Sequence, residues 1–109
     1  MPRDYRQQLD DILNSISYIK EYVSGISFDD FADDRKTQDA VVRNLEIIGE
    51  AARALPDAIK AEADTVEWYK IVALRNILIH EYFGVNLKII WDVVKNKLND
   101  LEAGCKSLL

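Results

Sequence analysis

A cation, a carboxamide, an imidazole and a phenol fall within eight residues of this chain: Arg75, Asn76, His80 and Tyr82. His80 is the only histidine. The four are set among Ile71, Val72, Leu74 and Phe83, where polar groups are costly unless they are paired or put to use. Arginine grips phosphate through two parallel hydrogen bonds. Histidine exchanges protons near neutral pH. Together they are a minimal kit for phosphodiester chemistry. One imidazole limits that kit, because cleavage of RNA by its own 2′-hydroxyl needs a base for the nucleophile and an acid for the leaving oxygen. A two-fold dimer that joins two copies of this segment would supply both groups.

The same residues have a structural reading. A lone histidine in a helix is more often a satisfied structural residue than a catalyst. Arg75 could pair with Glu46, Glu50 or Glu67 in an ion pair, and Tyr82 could be an amphipathic core edge. Glu50, in the apolar run Ile48-Gly49-Glu50-Ala51, could reach Arg75 or His80 across a bundle. Gly49 would permit close helix approach at a cost in helix propensity. Arg43 and Asn44 read as surface or partner contacts. Asp29, Asp30, Asp33 and Asp34 bunch as a solvated helix start suits. The sequence holds no His/Cys ligand set and no Gly-rich phosphate loop, so neither metal nor cofactor is expected.

With 109 residues, 49% hydrophobic and 30% charged, the chain reads as one folded domain over residues 1–109. No run approaches the roughly 18 uncharged apolar residues of a membrane span, and the first residues lack an apolar signal core. A lone cysteine, Cys105, can form no internal disulfide and reads as incidental, near a fraying end. A reducing cytoplasm is the expected setting. The net charge of -5 argues against a general nucleic-acid coat. Residues 1–65 carry 8 basic and 14 acidic groups, whereas residues 66–109 carry 6 and 5. The polar cluster thus lies in the less acidic half.

Helical periodicity accounts for the elements that must hold this cluster. Tyr5, Leu9, Ile12, Ile16, Ile19 and Val23 step by four and three, one apolar stripe over about residues 4–23. Gly25 then suits a left-handed cap. Ser27 precedes the acidic turn Asp29-Asp30, a good helix start, and that short helix should bend near Asp34-Arg35-Lys36. Val41, Leu45, Ile48, Ala52 and Leu55 form a stripe over about 37–55. Ala40, Ile47, Ala51 and Ala54 widen it, which implies contact on two sides. Pro56 stops the helix, and residues 57–63 add a turn or two. Asp64-Thr65 offers a cap for a helix over about 67–82. That helix is apolar around most of its circumference and should be the most buried. Its wide apolar coverage also fits a dimer seam. Gly84 ends it. Asn86 caps a last helix through Leu101. The fold class is all-α: an antiparallel bundle of four main helices with one or two short ones, homodimeric. Within the motif helix, Arg75 and His80 stand roughly 140° apart and can flank a groove without stacking, while Asn76 and His80 share a face.

Arg75-x4-His80-x-Tyr82, with Asn76 directly after the arginine, resembles the signature of the HEPN superfamily. More narrowly it is similar to the HepT-like toxins paired with minimal nucleotidyltransferases. The likeness spans nearly the whole chain. Residues 39–51 resemble the family's long helix, Trp68 and residues 74–84 its motif helix, and Trp91 fits the closing helix. The resemblance implies an all-helical homodimer with a composite cleft on its two-fold axis and metal-independent endoribonuclease activity that inhibits growth. It implies that Arg75 holds the scissile phosphate, His80 is the acid–base group and Asn76 orients the phosphate or the imidazole. It also implies a cognate minimal nucleotidyltransferase antitoxin that transfers AMP from ATP to Tyr82. The alternative reading is a non-catalytic subunit that binds RNA or nucleotide for a nucleotidyltransferase.

Overall fold

The computed structural model describes residues 4–81 and 86–109, with Glu81 by its backbone alone. The described residues are helical, with no strand among them. Helix α1 spans Tyr5–Val23. The side chain of Asp4 caps it by accepting from the Arg6 amide at 3.0 Å, and the chain turns at Gly25 with φ +74°, the left-handed conformation expected there. The predicted stripe is the core: Leu9, Ile12, Ile16 and Ile19 have no exposed surface.

Ser27 and Asp30 form a reciprocal capping box at the start of α2, Phe28–Ala32. The anticipated bend is a complete break. Asp34 caps α3, Arg35–Ala54, taking the Thr37 hydroxyl at 2.6 Å and the Thr37 amide at 3.1 Å. These bonds, the hydroxyl first, hold its carboxyl below the usual carboxylate range. The break leaves carbonyls at the end of α2 to be satisfied. The buried amide of Gln38 does this, donating to the carbonyls of Phe31 at 2.9 Å and Ala32 at 3.0 Å. Phe28 and Phe31 also pack on Trp91, with ring centroids 6.1 and 5.2 Å away.

Helix α3 is the hub. Its wide apolar stripe packs on α1 along one side and on α5 along the other, the two-sided contact that the sequence implies. Asn44, expected at the surface, is buried, and its side chain bonds the Ala40 carbonyl one turn back at 2.9 Å. Arg43 is exposed and lies 3.6 Å from Glu46. After Pro56 a short α4, Asp57–Glu62, leads to α5, Trp68–Glu81. The α5 helix starts at Trp68, one residue from the expected start, and the Glu67 carbonyl accepts from the amides of Lys70 and Ile71. It is not the most buried element. Trp68 and Leu78 are buried, but Ile77 is 46% and Ile79 43% exposed. Helix α5 lies at the edge of the bundle and packs chiefly on α3, so one neighbour covers a helix that is apolar nearly all round.

Asn86 caps α6, Leu87–Asp92, as predicted. The chain then runs without a break through a π-helical segment, Val93–Lys97, into α7, Leu98–Ser107. It therefore passes Leu101 by almost two turns. Cys105 is consequently not at a frayed end. It is fully buried, and burial pushes its thiol up to about 12. Lys20 ties α1 to α7 through Asn99 at 2.7 Å and Glu102 at 3.1 Å. Among the described residues, no helix is long and apolar enough to cross a membrane.

Two outcomes follow from this packing. Gln38→Leu keeps the volume but removes this donor from the Ala32 carbonyl and leaves the Phe31 carbonyl the Asp34 amide at 3.2 Å. Urea unfolding should show a loss of about 1–3 kcal/mol. Cys105 should resist a thiol-specific disulfide reagent at pH 8 in the native protein and react at once in denaturant. Its folded pKa is raised, so the contribution of the protonated thiol is complete below the unfolded value of about 8.5. That contribution is lost as pH climbs toward 12, so the unfolding midpoint should decline across that alkaline window.

Candidate active site

The start of α5 is anchored before its chemistry begins. The indole N–H of Trp68 donates to the carbonyls of Lys60 at 3.2 Å and Ala63 at 3.1 Å. These two bonds pin the helix to the end of α4. From that point helical rotation assigns the faces. Ile71, Leu74, Arg75 and Leu78 turn inward, each buried or half-buried. Tyr69, Ala73, Asn76, Ile77 and His80 turn to solvent. The expected separation of Arg75 from His80 is therefore realised as inside and outside. The arginine lies against α3, and the histidine stands on the outer surface.

Arg75 is 18% exposed, and its guanidinium is held at two corners. One terminal nitrogen lies 2.8 Å from a carboxylate oxygen of Glu50. The other donates to the side-chain oxygen of Asn76, also at 2.8 Å. Its Nε is buried without a hydrogen-bond partner among the described residues. Of the three glutamates that the sequence offers as partners, Glu50 is the one that binds. Glu67 instead takes Lys70 at 2.7 Å. That contact and the bond it carries hold the Glu67 carboxyl below its usual range and raise the Lys70 amine. Glu50 is 58% exposed, so the Arg75 pair sits in high dielectric and contributes at most about 1 kcal/mol to stability. Its effect is geometric. A carboxylate occupies one edge of the guanidinium much as a phosphate would.

Asn76 lies between the two chemical residues around the helix. It bonds Arg75 on one side and shares the outer face with His80 on the other. The structure thus joins Glu50, Arg75 and Asn76 in one chain of contacts and sets His80 about 7.5 Å further along the axis. Tyr82 and Gly84 lie outside the described residues. Around His80 the half-exposed Ile77 and Ile79 add apolar surface, and Tyr69, near the start of the same helix, is 70% exposed. Sequence periodicity counted Ile79 in the apolar coverage of this helix and expected the helix to be the most buried, because it could not say how many neighbours α5 would have. Among the described residues no His/Cys/Asp/Glu group could hold a metal ion. An apolar cleft of about 220 Å³ between α3, α5 and the last helix contains none of these site residues. Its walls include Leu45, Ile48, Ile71, Leu74 and Leu98, with Lys70, Lys97 and Thr65 also lining it.

An all-helical bundle that carries an Arg-x4-His pair on one edge helix defines a class, the HEPN-type ribonucleases. The HepT-like ribonuclease family profile matches residues 12–108, and the chain belongs to that family. It is 45% identical over 104 residues to a Methanocaldococcus jannaschii protein, covering 94% of this chain and 86% of the relative. It is 44% identical over 108 residues to a Caldanaerobacter subterraneus protein, covering 99% and 94%. A Thermococcus cleftensis protein is 39% identical over 108 residues, covering 99% and 98%. All three bear provisional names, the first two as RNases and the third as ribonuclease HepT. No solved structure gives a significant match.

Proposed function

We propose that this chain is a metal-independent endoribonuclease whose working site is a cleft shared by two copies, and that it is the toxin of a toxin–antitoxin pair. One observation carries the reading. A single copy holds Arg75 inward against α3 and turns His80 outward into an exposed apolar face. Apolar surface of this kind favours association, and a two-fold contact through it brings two imidazoles toward one strand. Arg75 of each copy neutralises the scissile phosphate. Asn76 and Glu50 keep its guanidinium in register. One His80 takes the proton of the 2′-hydroxyl as that oxygen attacks phosphorus. The partner subunit's His80 gives a proton to the departing 5′-oxygen. The products are a 2′,3′-cyclic phosphate and a 5′-hydroxyl, and both imidazoles exchange protons with water before the next round.

The antitoxin of this reading is a minimal nucleotidyltransferase. It transfers AMP from ATP to the hydroxyl of Tyr82, forming a phosphodiester and releasing pyrophosphate. Tyr82 follows His80 by two residues, so the added negative charge and bulk fall near the cleft and repel RNA.

End-labelled total tRNA, incubated with the purified chain in the presence of EDTA, should be cut. His80→Ala and Arg75→Ala should each lower the rate by about 10²-fold or more. Sedimentation should show a dimer for all three. A dimer that binds the tRNA and never cuts it would instead point to a non-catalytic binding subunit, a role that the acidic chain also permits. The modification has its own check. With the partner nucleotidyltransferase and ATP, intact-mass spectra should gain AMP increments on the wild type and none on Tyr82→Phe. Equal labelling of both would remove Tyr82 from that role.

A further inference from the structure

Gly49 occupies the α3 position that faces Arg75. A Cβ built on it would overlap the Arg75 Cβ, lie 2.8 Å from the Arg75 Cγ and lie 3.3 Å from the Ile71 carbonyl oxygen. The overlap involves the root of the arginine side chain and not its flexible end. Rotating the arginine therefore relieves nothing, and α5 itself must move. Gly49 is helical and has an ordinary negative φ, so backbone conformation does not call for glycine there. A glycine inside a helix is unfavourable relative to alanine, and alanine would be preferred if α5 packed elsewhere.

The next residue along α3 is Glu50, whose carboxylate meets the Arg75 guanidinium at 2.8 Å. The bare backbone at 49 and the carboxylate at 50 thus meet the two ends of one side chain. The first sets how deeply its stem lies, and the second sets where its head points. From this geometry we infer that Gly49 is a positioning residue for the reaction: it acts through Arg75, fixing the height of the guanidinium above α3. The inference rests on the nuclease reading above.

A second glycine provides the control. Gly104 in α7 also leaves no room for a Cβ, which would overlap the Val66 Cγ2. Val66 precedes Arg75 by nine residues and lies outside α5. Gly104→Ala thus also forces a clash in the same small bundle, though with a terminal methyl, and only Gly49→Ala meets Arg75 directly. Both should lower the melting temperature. At a temperature where both remain folded, Gly49→Ala should reduce kcat on end-labelled tRNA by about 10²-fold, the scale of an ångström's misplacement. KM should change little, since the charge that attracts RNA is retained. Gly104→Ala should keep the wild-type kcat. In an Arg75→Gly background the obstructing Cβ is gone, so adding Gly49→Ala should lower the melting temperature little further. That arm reads the contact even if Gly49→Ala alone does not fold. Wild-type kcat in Gly49→Ala, an equal loss in Gly104→Ala, or strictly additive melting shifts in the double variant would each overturn the inference. If the wild type cuts no RNA, the nuclease reading falls and this inference falls with it. An active, Arg75-dependent wild type beside a fully active Gly49→Ala sinks the inference alone.

Discussion

The crossing of α3 and α5 at Gly49 governs the rest of the molecule. It brings the stem of Arg75 onto bare backbone, closer than two side chains would allow. Trp68 fixes the start of α5 through its two bonds to the end of α4. With the start of the helix pinned and its middle seated, its rotation is settled. Leu74 and Leu78 turn inward, and His80 can then only face outward. The charged and the proton-carrying group are separated by helix geometry, not by distance along the chain.

That separation shapes the electrostatics. The net charge of -5 gives RNA no broad attraction. Local arrangement must supply what composition does not. Arg75 is only 18% exposed, so its field is less screened than that of a surface lysine. Glu50 offsets part of that charge and aligns the group through one short bond. Asn76 holds the opposite corner. On the proposed reading, a phosphate would meet an arginine already oriented, which spares the ordering of a long side chain on binding.

The architecture around the site is held by satisfied polar ends as much as by apolar bulk. Gln38 closes the end of α2, Asp34 opens α3, and Ser27 with Asp30 opens α2. These bonds join α2 to α3 within a dozen residues by pairing backbone groups at their ends. The core beneath is the α1 stripe packed on α3. The outer faces of α5 and α6 keep Tyr69, Ile77, Ile79 and Ile89 exposed.

The amino-acid order alone determined the helices, the caps at Ser27 and Asn86, the turn at Gly25 and the inward stripe of α1, because 3.6-residue periodicity and capping chemistry are local. It also determined the angular separation of Arg75 from His80, which is a property of any helix, and the likeness to HEPN ribonucleases, which rests on residue identity. It offered Glu46, Glu50 and Glu67 to Arg75 without choosing, since the choice depends on how α3 lies against α5. It placed α5 deepest in the core and ended the last helix at Leu101. Both expectations failed for the same reason: periodicity shows which face is apolar but not how many neighbours cover it, nor where a continuing helix finds a surface to bury. Only the tertiary arrangement put Cys105 and Asn44 inside, left Ile77 and Ile79 in water, and brought Gly49 under Arg75. Those outcomes depend on contacts between distant segments, which no local pattern encodes.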